Sequence, residues 1–257
     1  MMKRGKQRAN TKGVQGERGN SMKKKLCAMV LGILAVMSIT ACGTNSNAGG
    51  TSSGSNEVQD AMKALYETDF SYVETQKYGE SESQWTGEMQ ASPYLEHRDM
   101  SEASQVMNDI YYSGSGKMIT AKISDKKGKW VTQPLERPRF YGYSEDLTIL
   151  SSDETEDKKY TKYETQYTSS VKAGLGSADE VSYTVNQEYY LDKDTGNIVR
   201  IVTDTSDLTK ASTIAGTMNT SGKTEEEVRK SLDWNDDDIY TDTVEITYGS
   251  VDIEMPE

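Results

Sequence analysis

The 257-residue chain has little of what most often carries catalysis or covalent cross-linking: one histidine, two cysteines, four prolines and two phenylalanines. A lone histidine, His97, excludes a multi-histidine metal site and leaves a serine triad only one candidate base. Cys27 sits inside an apolar run and reads as a small apolar residue. Cys42 is then the one thiol left for chemistry, and an intrachain disulfide framework is excluded. Leu, Ile, Val and Phe supply only 33 of residues 42–257, which predicts a thin core. Basic charge is scarce as well. The first 41 residues hold nine Lys/Arg and one Glu, so the remainder carries 20 basic and 40 acidic side chains, a formal charge of −20. A polyanion of that kind excludes nucleic-acid binding, which needs clustered Lys and Arg to displace counterions.

What is present begins with an address. Lys23 to Lys25 precede an apolar run from Leu26 to Ala41, too short for a membrane span of ~20 residues but suited to a cleaved secretion signal. The run ends in Ile39-Thr40-Ala41-Cys42, which resembles the lipobox of bacterial lipoproteins. That resemblance implies diacylglycerol on the Cys42 sulfur, cleavage before it, and a place on the extracytoplasmic face of the cell membrane, in the style of Gram-positive lipoproteins. Residues 1–21 are basic, lack apolar periodicity and precede a second methionine, Met22. They read as an overlong gene start or an extended n-region. Residues 42–56 form a Gly/Ser/Asn/Thr tether with an r.m.s. span of ~20 Å. The negative domain beyond it should be repelled by anionic headgroups, so the membrane partner is reached through the lipid at Cys42 alone.

Residues 57–257 are expected to form one domain, since no repeat, Pro-rich linker or charge shift divides them. Val58, Met62 and Leu65 fall on one helical face. Strands are expected at Phe70 to Tyr78, Gln84 to Ala91, Tyr94 to His97, Met107 to Ser113 and Lys117 to Ile123, the last with Ile119, Ala121 and Ile123 on one face. After a turn at 126–129 comes Trp130-Val131-Thr132. Ser144 is expected to cap a short helix carrying Leu147 and Leu150. In the strand from Val181 to Leu191, Val181, Tyr183, Val185, Tyr189 and Leu191 point one way, with Gln187 the exception. A hairpin turn at 192–197, with Gly196 and Asn197 in left-handed backbone, leads into Ile198 to Thr203. Thr224 and Glu227 make a capping box for a helix bearing Val228 and Leu232. Val244/Ile246/Tyr248 and Val251/Ile253/Met255 alternate as two last strands. Long hairpins with a few short helices predict an α+β domain.

The order of these elements, with Trp130 at a hairpin, the Tyr189-Tyr190 strand and the Tyr-x-Leu-Asp-x-x-Thr-Gly-x-Ile stretch at 189–198, resembles the LolA-like lipoprotein superfamily. The resemblance implies a single strongly curved antiparallel β-sheet, a half-barrel, with helices on its concave side and room there for a lipid or acylated ligand. It implies no ligand-binding residue, which stays unknown, and no cofactor.

Other chemistry finds little support. Ser169-x-x-Lys172 and Ser124-x-x-Lys127 lack the companion motifs of Ser/Lys acylases. The glycines at 174 and 176 lack the third glycine of a phosphate cradle. Asp192 and Asp194 open like a calcium loop, but glycine falls at its fifth place and Thr203 stands where the closing Glu would be. Asp233, Asp236, Asp237 and Asp238 read as a solvated loop rather than a metal site. Trp85, Trp130 and Trp234 could line a groove, though a core short of aliphatics needs its aromatics for packing. The expectation is a non-enzymatic lipoprotein that binds an apolar or acylated ligand or an envelope component. The alternative is a structural or protein-interaction subunit of an envelope complex, its protein partner unidentified.

Overall fold

A computed structural model describes residues 55–115, 118–136, 146–174, 177–234 and 239–256. Cys42 with its signal and the tether as far as residue 54, Ser144, Gly176 and Asp236 to Asp238 lie outside the described residues, while Ser55 and Asn56, expected in the tether, belong to the first helix. Helix α1 spans Ser55–Tyr66 and is followed by strands β1 (Phe70–Tyr78), β2 (Ser81–Gln90), β3 (Leu95–Asp99), β4 (Met107–Ser113), β5 (Met118–Asp125) and β6 (Trp130–Glu136). Strands β7 (Thr148–Glu154), β8 (Tyr160–Lys172), β9 (Glu180–Asp192) and β10 (Ile198–Asp204) come next. Helices α2 (Ser206–Ser221) and α3 (Glu225–Ser231) precede β11 (Tyr240–Tyr248).

All eleven strands join one sheet in the order β6-β5-β4-β3-β2-β1-β11-β10-β9-β8-β7, and each neighbouring pair is antiparallel. The chain thus builds two meanders, β1 to β6 and β7 to β11, joined by the pairing of β1 with β11, and α2 and α3 interrupt the second between β10 and β11. The sheet is unclosed, with β6 and β7 at its edges. Pro134 lies in β6, where an edge strand tolerates a residue that cannot donate to a ladder. The eleven residues between Glu136 and Thr148 must lead from one edge to the other. Their reach is about 40 Å, whereas eleven flat strands would span about 48 Å from edge to edge. That connection fits a curved sheet.

One face of the sheet carries the core. Val58, Met62 and Leu65 of α1 are at most 1% exposed, and α1 packs beside β9 and β10. Helix α2 lies against β8, β9 and β11, burying Ala211, Ile214 and Ala215. In β9, burial alternates without a break from Val181 to Leu191. Gln187, expected as the exception, points inward with the rest and is 2% exposed. Its polar atoms are satisfied: Nε2 donates to Thr203 Oγ1 at 3.0 Å, and Oε1 accepts from the Tyr189 hydroxyl at 2.8 Å.

Several expectations fail in instructive ways. Leu147 and Leu150 do not share a helix face. Leu147 is buried just before β7, while Leu150 within that strand is 58% exposed. The ladder offered by β8, a strand not foreseen, outweighs a three-residue spacing of two leucines. Residues 251–255 form no strand; Ile253 alone of the alternating set is buried, and Lys122 Nζ donates to the Pro256 carbonyl at 2.5 Å. In β5 the alternation slips after Ala121. Ser124 is buried and Ile123 only half so, opposite a register shift between Met107 and Ile110 in β4. In the 192–197 turn only Gly196 has positive φ, at 74°; Asn197 does not. Helix α2, at 16 residues, is neither foreseen nor short.

Candidate functional site

Strand β1 departs from the usual inward order of side chains. Phe70, Tyr72, Glu74 and Gln76 alternate inward, so a carboxylate and an amide stand where a thin core would be expected to place aliphatic residues. Glu74 is 3% exposed and Gln76 8%. Opposite Gln76, across the β1–β11 seam, is Asp242. The Asp242 carboxyl hydrogen-bonds to the side chains of Glu74 and Gln76. Burial pushes its pKa up to about 6, while those two bonds and the positive charge of Arg98 pull it back. The wider Asp242 residue is only half-buried, but its Oδ1 is sealed from water and has no hydrogen-bond partner.

A second cluster lies two strands from β1. Glu96 of β3, 2% exposed, accepts from the Tyr72 hydroxyl at 2.9 Å, the Tyr94 hydroxyl at 2.8 Å and Arg98 Nε at 2.6 Å. The Arg98 guanidinium also stands 5.1 Å from the centre of the Tyr112 ring. Three donors around one buried carboxylate repay much of its desolvation. Burial raises the Tyr72 phenol well above its ordinary range, against the pull of Arg98, so Tyr72 stays a donor at any physiological pH. Tyr72 reaches across β2 to Glu96 because its partner on that strand is Gly87. A β-carbon there would collide with the phenol.

These groups belong to a longer polar row on the covered face. Thr165, Gln187, Thr203, Asp242 and Gln76 face one another in turn across β8, β9, β10, β11 and β1. Trp85, 8% exposed, lies across from Glu74 on β2, and its indole Nε1 has no hydrogen-bond partner. The carboxyl pair, the guanidinium and the indole can hold a polar group. Ser83 of β2 faces Gln76 in this cluster, but the chain's one histidine, His97, does not lie on this face of the sheet to serve it as a base. Nor does any group of three or more His, Cys, Asp or Glu among the described residues have the arrangement to hold a metal.

The residues singled out from sequence are dispersed. His97 is on the opposite face of the sheet from Tyr112 and Glu96. Its ring stacks on Tyr111 at 4.3 Å and 15°, and Nε2 lies 3.0 Å from Asp109 Oδ1. Trp130 adjoins Tyr111 at 5.9 Å with Lys122 Nζ 5.5 Å from its ring. Trp85 and Trp130 therefore occupy opposite faces and do not share a groove. Ser124 donates to Asp109 Oδ2 at 3.2 Å and is not aimed at Lys127. Ser169 and Lys172, three apart in β8, fall on opposite faces. A side chain at Gly174 would meet Asn219 of α2, so that glycine serves close packing. Asp192 accepts from the Thr195 amide at 2.9 Å, the Thr195 hydroxyl at 2.9 Å and the Asp194 amide at 3.1 Å. Those bonds lower its pKa, Thr195 foremost, and they make it the staple of a turn.

Sequence reasoning missed Glu74, Gln76, Glu96, Arg98 and Asp242. The signal was available in β1, because the period that turns Phe70 and Tyr72 inward turns Glu74 and Gln76 inward too. On the other face of the sheet, a groove of about 400 Å³ is lined by Leu150, Val202, Ile239, Glu164, Glu188 and Asp204, among others. Comparison with known proteins finds no family model that matches the chain and no curated protein that matches it.

Proposed function

We propose that this chain is a non-enzymatic lipoprotein of the extracytoplasmic face of the cell membrane, anchored by diacylglycerol on Cys42. In this proposal its α+β domain is a LolA-like half-barrel that binds an apolar or acylated ligand, or another envelope component. The observation that carries it is the sheet itself. It is antiparallel and unclosed, and helices pack against it, which fits a curved sheet. That arrangement can part at its edges and admit a ligand beneath the helices, as a closed barrel cannot. The lipobox at 39–42 supplies the address, and the polar row on the covered face supplies groups that a purely structural core would not need.

Native mass spectrometry of the purified chain, after exposure to membrane extract from the source bacterium, tests the proposal. A bound small molecule is the expected result. A bare polypeptide mass would sink it in favour of a second role, a protein-interaction subunit of an envelope complex. The groove on the helix-free face favours that second role, since Leu150 and Ile239 in its lining are 58% and 64% exposed.

A further inference from the structure

We propose that Asp242, Glu74 and the indole of Trp85 recognise a hydroxyl group on the neutral polyol head of an amphiphilic ligand. The inference deepens the proposed function and rests on it, in that the helix-covered face is taken as the ligand side.

Buried polar atoms in folded proteins are nearly always paired, and here two on the strands either side of β1 are not. Trp85 Nε1 is a donor without an acceptor, and Asp242 Oδ1 is an acceptor without a donor. They flank Glu74: Trp85 faces it across the β1–β2 ladder, and the Asp242 carboxyl hydrogen-bonds to it from β11. A group that satisfies both atoms must donate to a carboxylate oxygen and accept from an indole N–H. A hydroxyl does both. An ammonium group only donates and leaves Nε1 unmatched. A carboxylate or phosphate only accepts. It would also meet Glu74, Asp242 and Glu96 with Arg98 as the one cation of this cluster, and Arg98 is already bonded to Glu96. The site therefore favours a neutral head that both donates and accepts, and a hydroxyl is the simplest such group.

The surrounding face has the order that an amphiphile needs. Along the β1–β11 seam, Phe70 faces Tyr248, Tyr72 faces Ile246, Glu74 faces Val244 and Gln76 faces Asp242. The inward side chains thus run from apolar to polar in one direction, with Met89 beside Phe70 on β2. An alkyl body laid toward Phe70 and Ile246 brings its head to Asp242 and Trp85.

The test is equilibrium binding of three probes with one alkyl chain to the intact protein: monomyristoylglycerol, methyl myristate and myristate. The glycerol ester should bind about tenfold tighter than the methyl ester, the effect of one or two net hydrogen bonds. Trp85→Phe keeps an aromatic ring in place but removes the N–H donor, and Asp242→Ala removes the acceptor. Each should bring the glycerol ester toward the affinity of the methyl ester while leaving the methyl ester unchanged. If Asp242→Ala does not fold, Trp85→Phe carries the comparison alone. Equal binding of the two esters, or tighter binding of myristate, overturns the hydroxyl assignment and leaves the proposed function standing. If none of the three binds, the covered face is not a ligand side for acyl chains, and the proposal above falls with the inference.

Discussion

The phenol of Tyr72 lies over the backbone of Gly87, in the space where any other residue would place its β-carbon. That vacancy lets a β1 side chain cross β2 and hydrogen-bond to Glu96 on β3 at 2.9 Å. Gly87→Ala should therefore lower unfolding free energy by about 2–4 kcal/mol, the sum of overpacking and a lost buried hydrogen bond. In a Tyr72→Leu background the same change should cost much less, since the clash is gone. Urea denaturation of the four proteins of this cycle measures the coupling. Equal costs in both backgrounds would show that Tyr72 is not what Gly87 accommodates.

Glu96 gathers Tyr72, Tyr94 and Arg98 around one carboxylate. Glu96→Ala strands a guanidinium that is only 22% exposed, along with two phenols, and should destabilise by about 3 kcal/mol. Glu96→Gln keeps one acceptor and should cost about half as much. Chemical denaturation at neutral pH distinguishes the two, and a neutral effect of Glu96→Ala would mean that water replaces the carboxylate.

Asp242 gives the molecule an unusual pH response. Its folded pKa, raised to about 6 chiefly by burial, lies above its ordinary value of 3.8. Between those values the folded state binds more protons than the unfolded state, so stability rises as pH falls from 7 toward 4 and the gain is complete below the ordinary value. The ceiling is on the order of 3 kcal/mol. Asp99, Asp125, Asp157, Glu164, Asp192 and Glu227 act in the opposite sense, because hydrogen bonds from their neighbours lower them. Their contribution is lost only as pH falls below about 4. The urea midpoint should thus be higher at pH 5 than at pH 7, and Asp242→Asn should remove most of that difference. An unchanged pH response in Asp242→Asn would locate the effect elsewhere.

Helix α3 has seven residues and depends on its cap. The Thr224 hydroxyl accepts from the Glu227 amide, and the Glu227 carboxylate accepts from the Thr224 amide at 2.9 Å. Thr224→Ala should cost about 1 kcal/mol. Hydrogen exchange should accelerate at the amides of residues 225–228 and little elsewhere; uniform acceleration across β9 would mean that α3 and the sheet open together.

Where apolar and polar residues alternate, the fold was legible from sequence. The limits of β1 and β4, the inward face of β9, the apolar stripe of α1 and the capping box at Thr224 all followed from period or spacing. Elements with other sources of stability did not. Strand β8 has a single aliphatic residue, Val171; it turns Tyr163, Thr165 and Tyr167 inward against Lys162, Glu164 and Gln166, an alternation easily taken for a polar loop. Helix α2 is rich in β-branched threonine, a poor helix former. Thr209, Thr213 and Thr217 instead turn their hydroxyls back to carbonyls four residues earlier at 2.8–2.9 Å, and packing on β8, β9 and β11 outweighs propensity. The candidate site was half legible. Glu74 and Gln76 are fixed by the period of β1, but Glu96, Arg98 and Asp242 join them only through pairings between distant strands.

The seam between β1 and β11 sets an order of events. Every other strand pair joins consecutive strands, and all but β10–β11, which spans helices α2 and α3, are local hairpins that close fast. The seam joins residues 70–78 to 240–248 and must wait until nearly the whole chain has been made. Until then β1 carries an open edge with Phe70 and Tyr72 beside it, a template for pairing with another chain. A nascent chain halted before Tyr240 would hold one such raw edge in each half, and its fate would be decided by whatever holds those edges apart until the last strand arrives.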